Sequence, residues 1–479
     1  KGLPSFSVVG MASASINEAK ERVKSALLSN DFSFPPKRIT INLAPSDLKK
    51  EGSQFDLSIA LLIATDNLKD DLSEWFVFGE LGLDGAVKEN VRLYPLILSL
   101  ANQGIIKKAV VPYESIEKLS NIPGIELYGV KTLDETINLL KNPHQLQADI
   151  SSKTINYPCY IIDKESFYFD TEYELDFLDI KGQEVAKRAA LVCAAGFHNI
   201  LLEGSPGCGK SMIAQRLRYI LPPLKNSEIL DIAKLDALES KEPSFKPLRG
   251  FRSPHSSSTT ASIFGGGSNG SKIGEVGLAH RGVLFFDELP HFSKSTLESL
   301  REPLQDNKIR ISRVNSKIEY PSDFLFVAAM NPCPCGNLLN RYKECRCSDI
   351  EIKKYKNRLS DPILDRIDMY VLMQQMDLSD KATINSKQMH QKVINVHKRV
   401  ISRGQKCFNA KLADSEVSKY CVLDDEAKSV LDRAVNQFSL SFRAIQKIQK
   451  LSLTIADLQE SDIIKKVHIL EALSYRRRD

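Results

Sequence analysis

No stretch of this 479-residue chain approaches the roughly 20 consecutive apolar residues that a helix needs to cross a bilayer, which argues against an integral helical membrane protein. The opening Lys1-Gly2-Leu3-Pro4 lacks the charged and apolar segments of a secretion signal, so the cytoplasm is the expected compartment and no membrane partner is expected. Internal repeats are absent, and so is any large excess of one charge: 65 Lys and Arg stand against 60 Asp and Glu, leaving +5. So small an excess permits an acidic partner such as nucleic acid without arguing for one. No module for reading base edges is visible, so a nucleic-acid contact should run through the backbone.

What is present is the composition of an ordinary globular protein, 42% hydrophobic and 26% charged, in a chain too long for one core. In a reducing compartment its nine cysteines read as core residues, reactive thiols or metal ligands rather than disulfides. From Lys1 to about Asn142 helix-like and strand-like runs alternate: Ile16 to Leu28 and Asp56 to Ala64 as helices, Arg38 to Leu43, Trp75 to Gly79 and Ala109 to Val111 as strands. A polar, Tyr-rich stretch at 143–174 reads as a linker. A second α/β unit follows over 175–376, with a helix from Gln183 to Ala195 and apolar strands at Asn199 to Glu203, Val283 to Phe286 and Phe324 to Met330. The remainder, 377–479, is helical in pattern, with Asp424, Ser439 and Ser461 as candidate N-caps. Ser253 to Ser271, rich in Ser and Gly, reads as an exposed loop.

Gly204-Ser205-Pro206-Gly207-Cys208-Gly209-Lys210-Ser211, followed by Met212, satisfies the phosphate-loop pattern where that pattern must stand, between a strand and a helix. Its glycines let backbone N–H groups turn onto phosphates, Lys210 brings a cation to the terminal phosphates, and the Ser211 hydroxyl suits Mg²⁺. The strand Val283 to Phe286 ends in Asp287-Glu288, read as a magnesium-facing carboxylate and a water-polarising one. Asn331 ends the strand from Phe324 and is suited to orient that water. Arg366, before the last apparent strand, and Arg443, at the start of a helix, are candidates to reach a transferring phosphate from a neighbouring subunit or a lid. In this order the residues describe an ATP-hydrolysing motor of the AAA+ class.

The sequence also resembles the ComM/YifB family of magnesium-chelatase-like AAA+ ATPases along nearly its whole length. Gly2-Leu3-Pro4-Ser5-Phe6, Asn42-Leu43-Ala44-Pro45 and Lys50-Glu51-Gly52-Ser53 look like that family's N-terminal domain. Arg252-Ser253-Pro254-His255, Gly274 to His280, Asn331-Pro332-Cys333-Pro334-Cys335-Gly336 and Leu364-Asp365-Arg366-Ile367-Asp368 look like its motor. The resemblance implies a Lon-protease-like N-terminal α/β domain (1–142), an AAA+ P-loop α/β domain (175–376) and a C-terminal helical lid (377–479). It implies a homohexamer with ATP between subunits, acting as a DNA helicase that extends heteroduplex during natural transformation, and it sets Gln183 against adenosine. Two departures stand out. Ser256 replaces a second His of the family, and Gln54 stands where a Lon protease needs its serine, so Lys88 has no hydroxyl to activate and peptidase chemistry is not expected.

Cys333-Pro334-Cys335 and Cys345-Arg346-Cys347 could close a tetrahedral zinc site, although two C-x-C units are tighter than the usual zinc spacing; four reduced thiols are the alternative. Between Asn307 and Ile318 two alternating runs flank Asn315-Ser316, the pattern of a β-hairpin carrying Lys308, Arg310, Arg313 and Lys317. These would hold single- or double-stranded DNA through its phosphates, with Lys272 beside a second candidate pore loop, or else they form a solvated face. The leading expectation is a hexameric ATP-dependent DNA translocase promoting branch migration, with recombination proteins as further partners. The alternatives are a magnesium-chelatase-like metal-insertion motor, an ATP-dependent protease, and a remodelling scaffold that moves no DNA.

Overall fold

The apolar runs that mark buried strands lie side by side. In the computed structural model, which describes residues 5–10, 14–43, 52–65, 74–141, 156–266, 272–313, 316–340, 342–375 and 380–477, they build a five-stranded parallel sheet. Its strands are β1 (Ile200–Gly204), β2 (Phe251–Arg252), β3 (Val283–Phe286), β4 (Leu325–Met330) and β5 (Met369–Met373), in the order β2-β3-β4-β1-β5. Every residue of β3 and β4 is buried, as a parallel sheet covered on both faces requires. Because β4 pairs with both β1 and β3, the loops after these three strands open side by side at the carboxyl edge.

The chain divides into two compact units, one of residues 1–156 and 230–245, the other of 157–229 and 246–479. The first is α/β. Trp75–Val77, Lys108–Pro112 and Glu126–Val130 form a parallel sheet, and Ser5–Val9 pairs in parallel with Arg38–Asn42. Helices Ala14–Ser29, Asp56–Ala64, Leu93–Asn102 and Leu133–Lys141 supply its cores. The inclusion of 230–245 was not visible in the sequence, which set it in the motor. Leu230, Ala233 and Ala237 bury one helical face with Tyr94 and Leu98, and Phe245 packs edge-on to the Tyr94 ring.

The second unit holds the five-stranded sheet and the C-terminal helices. Glu184–Gly196, Ser386–Ser402 and Phe442–Leu458 share one apolar core with β1 and β5, so the helical region is packed onto the sheet. The supposed linker is in part a hairpin: Cys159–Ile162 pairs with Glu165–Tyr168, which Leu224–Lys225 extends to three strands. Phe167 explains this, since it is buried and stacks on Tyr160 at 5.4 Å. The Ser/Gly segment likewise contains a short helix, Thr260–Phe264, capped by Thr259 and anchored by the buried Ile263. Asp424 caps Asp425–Phe438 as expected, but Ser439 closes that helix in a left-handed turn at φ 47°, and the next cap is Ser441. Ser461 caps nothing; the last helix, Lys466–Ser474, follows Lys465. The motif residues 2–4 and 44–51, the loop residues 267–271 and the hairpin tip 314–315 lie outside the described residues. No helix among the described residues is long and apolar enough to cross a membrane.

Candidate nucleotide site and cysteine cluster

At the carboxyl edge of the sheet, three separate sequence motifs become one site. The phosphate loop leaves β1 and turns into the helix Lys210–Leu217 through Gly207 at φ 79° and Gly209 at φ 94°, left-handed conformations that a side chain would strain. Lys210 Nζ donates to the carbonyls of Gly204 (2.6 Å) and Ser205 (3.1 Å) and to Asn331 Oδ1 (3.1 Å). Burial lowers the pKa of this ammonium and raises that of the neighbouring Cys208 thiol. Ser211 Oγ donates to Asp287 Oδ2 at 2.9 Å, which brings together the hydroxyl and carboxylate suited to a magnesium ion.

Glu288 follows Asp287 in a left-handed conformation, φ 52°, its backbone N–H held by Asp287 Oδ1 at 2.9 Å. A non-glycine residue held in so sparsely populated a region stores local strain, which clusters at functional sites. Its Oε2 meets His291 Nδ1 at 3.1 Å. His291 was missed in the sequence, where its only signal is a spacing of three residues from Glu288. Gln183, also left-handed at φ 57°, donates from Nε2 to the carbonyls of Cys208 (3.1 Å) and Gln374, tying the start of its helix to the phosphate loop. Met212 is half-buried against the main core.

Arg366 and Arg443 stand at the opposite edge. Asn199, immediately before β1, donates to the Arg366 carbonyl at 3.0 Å, so the length of β1, roughly 15 Å, separates this arginine from its own phosphate loop. Arg366 donates to Pro362 O and Gln305 Oε1, both at 2.5 Å, and burial together with Arg443 lowers its pKa. Arg443 pairs with Asp365 at 3.6 Å, and both arginines line a cavity of about 300 Å³ with Lys411, Lys447 and Lys450. Arg443 thus stands beside Arg366 rather than beside the phosphate loop of its own chain. Lys447, unforeseen, donates to the carbonyls of Asp365 and Ile367 on either side of Arg366.

The four cysteines after β4 converge. Cys333 Sγ lies 3.5 Å from Cys335 and 3.6 Å from Cys345, Cys335 and Cys345 are 3.6 Å apart, and all four sulfurs, Cys347 included, fall within 4.8 Å of one another. Thiolates at ~2.3 Å around a tetrahedral zinc stand roughly 3.8 Å apart, so the donor set fits that ion in number, type and spacing. Backbone N–H groups of Asn337 and Arg346 pull the Cys335 thiol down to about 6, whereas burial and the sulfurs beside them leave the thiols of Cys345 and Cys347 raised.

The basic hairpin forms as expected: Lys308–Arg313 pairs antiparallel with Ser316–Pro321. Its charge is less free than the sequence suggests. Glu319 engages both Lys308 (2.8 Å) and Arg310 (3.2 Å), and Glu302 adds a second acid 3.5 Å from Arg310. The side chains of Arg313 and Lys317 lie outside the described residues, and Lys272 is exposed at the start of its two-residue strand. In the first unit Gln54 is buried and Lys88 exposed.

A phosphate loop after β1, paired acids after β3 and a polar residue after β4 that meets Lys210 define an ATPase of the AAA+ class, with ATP and Mg²⁺ as what its site takes. Residues 176–381 match the family described as "Magnesium chelatase, subunit ChlI", residues 1–115 "Subunit ChlI of Mg-chelatase", and residues 383–476 "Magnesium chelatase, subunit ChlI C-terminal". The chain is 38% identical to competence protein ComM of Haemophilus influenzae, over 99% of this chain and 92% of that protein. To YifB of Salmonella typhimurium it is 38% identical over 100% of this chain and 92% of that one, and to YifB of Escherichia coli 37%, over 100% and 93%. The chain belongs to the ComM/YifB family of magnesium-chelatase-like AAA+ proteins.

Proposed function

We propose that the chain is an ATP-driven DNA translocase that works as a homohexameric ring and promotes branch migration in recombination during natural transformation. The observation that carries the motor is the joining of Lys210 to Asn331 and of Ser211 to Asp287 across three neighbouring strand ends. The direction of its use comes from a full-length relative called a competence protein. In this reading Gly204 to Met212 hold the nucleotide, with Gln183 near the adenosine. A magnesium ion between Ser211 and Asp287 would neutralise charge on the terminal phosphates. Glu288, aligned by His291, polarises the attacking water, and Asn331 orients it.

Arg366 and Arg443 both act on a neighbour's nucleotide. The support is their common position at the amino edge of the sheet, out of reach of their own phosphate loop. Such arginines neutralise charge that develops only in the transition state, so hydrolysis requires assembly. The hairpin residues Lys308, Arg310, Arg313 and Lys317, with Lys272, hold DNA phosphates. The Lon-like first unit serves assembly, and the four cysteines hold one zinc. The three chelatase descriptions favour a second reading, a metal-insertion motor. ATP hydrolysis measured with and without single- and double-stranded DNA separates the two. Stimulation that disappears in Lys210→Ala supports the translocase; an indifferent rate removes it.

A further inference from the structure

Between Asn331 and Ser348 the described residues form no strand or helix and are held by little more than turn hydrogen bonds such as Gly336 N–H to Cys333 O (3.0 Å). Apart from the buried Pro332, Cys333 and Gly336, the described part of the loop sets few residues into a core that would fix its conformation. Yet it touches the nucleotide site at several points. Asn331, two residues before Cys333, accepts from Lys210 at 3.1 Å. Gly336, directly after Cys335, lies against the phosphate loop so closely that a Cβ on it would stand 2.6 Å from Pro206 Cδ. Beyond Cys347, Ser348 caps the helix Asp349–Lys356 with a reciprocal bond to Glu351. That helix returns to the site: Lys356 pairs at 3.1 Å with Glu203, the residue before Gly204. The buried Tyr355 sets its ring 6.0 Å from that of His291, the partner of Glu288.

The cysteine cluster thus sits where Asn331, the Pro206 face of the phosphate loop and the support of Glu288 are all reached within a few residues. We propose that the metal held by Cys333, Cys335, Cys345 and Cys347 braces the nucleotide site, so that its presence sets nucleotide affinity as well as local stability. This rests on the zinc reading given above. The metal supplies what this sparse packing does not: four sulfurs tied to one ion fix the loop ends, and Gly336 transmits that position to Pro206. The phosphate loop then keeps the shape in which its N–H groups converge. Without the ion, the segment gains conformations in which Asn331 leaves Lys210 and Gly336 leaves Pro206.

The experiment uses the full chain, with zinc measured by elemental analysis, nucleotide affinity by titration of a fluorescent ATP analogue, and folding by circular dichroism and thermal unfolding. Wild type should carry one zinc per chain. Cys345→Ser should lose it and bind the analogue roughly tenfold or more weakly while retaining its helical content. Gly336→Ala should keep its zinc and still lose affinity, because the added methyl meets Pro206 at a left-handed φ of 78°. Should Cys345→Ser fail to fold, Gly336→Ala decides alone: zinc present with wild-type affinity overturns the brace. A zinc-free, folded Cys345→Ser that binds nucleotide like wild type overturns it too, as does wild type prepared without chelator and devoid of zinc. None of these outcomes touches the nucleotide-site reading, which fails separately if Lys210→Ala binds the analogue normally.

Discussion

Lys210 and Asn331, 121 residues apart in sequence, meet Nζ to Oδ1 at 3.1 Å across the ends of two neighbouring strands. The contact links the group that carries charge to the terminal phosphates with the group that would orient water beside them. If Asn331 acts there, Asn331→Ala should bind ATP within a few-fold of wild type and hydrolyse it roughly a hundredfold more slowly. Steady-state kcat and an equilibrium titration of nucleotide check this. A parallel loss of affinity and turnover would make Asn331 a support for Lys210 and nothing more.

Placing Arg366 and Arg443 at the amino edge yields a mixing prediction. Arg366→Ala subunits keep an intact phosphate loop and acids, while Lys210→Ala subunits keep intact arginines. Each alone should be nearly inactive, and their mixture should recover part of the ATPase rate, because some interfaces then pair one good loop with one good arginine. No recovery at any ratio, in preparations shown to assemble, would contradict action on a neighbour's nucleotide.

Glu319 changes what is expected of the hairpin. Since it engages both Lys308 and Arg310, Glu319→Gln should release them, strengthening DNA binding at low salt and steepening its salt dependence. Arg310→Ala with Arg313→Ala should do the reverse, lowering the duplex salt slope by about 0.9 for each phosphate that the protein no longer neutralises and leaving basal ATP hydrolysis intact. DNA titrations at several salt concentrations read both changes. Equal slopes in all three proteins would leave the hairpin a solvated face.

Three buried histidines predict acid sensitivity in the second unit. Burial pushes His280 and His390 down to about 4 and His397 to about 3; His390 Nδ1 meets the Tyr173 hydroxyl at 3.0 Å, and His397 Nδ1 meets that of Tyr160. In the unfolded chain a histidine takes its proton near pH 6.5. Their contribution is therefore complete above pH 6.5 and is lost as pH falls towards 4, at up to about 1.4 kcal/mol per pH unit for each histidine that stays neutral. The thermal midpoint should fall steadily between pH 6.5 and 5, and less steeply in His390→Gln. A midpoint unchanged over that range would mean that these rings already carry protons when folded.

Much of the motor was legible because its signals are local. A fully apolar four- to six-residue run such as Val283–Phe286, bounded by Gly282 and by two acids, reads as a covered strand, and the phosphate loop must follow one and open a helix. The hairpin from Lys308 was readable from alternation alone. What escaped depends on contacts between distant segments. Nothing near Leu230 announces that its helix face packs on Tyr94, and the polar look of residues 157–174 hides a hairpin fixed by Phe167 and Tyr160. Sequence order raised Arg443 as a phosphate sensor but could not say which edge of the sheet it stands on; that follows from its pairing with Asp365. His291 and Lys447 were invisible for the same reason, since each works through a backbone or side-chain partner that the fold supplies.

The central claim is that hydrolysis at the Lys210 site moves DNA strands. Its most direct test follows three-stranded and four-stranded junctions, in the presence of ATP and magnesium, with wild type and with Glu288→Gln, which should bind ATP and scarcely hydrolyse it. The account predicts that wild type converts both junctions to exchanged products at a rate that follows ATP hydrolysis, and that Glu288→Gln binds the junctions and converts neither. Vigorous, DNA-stimulated hydrolysis by wild type with the junctions left unmoved would contradict it.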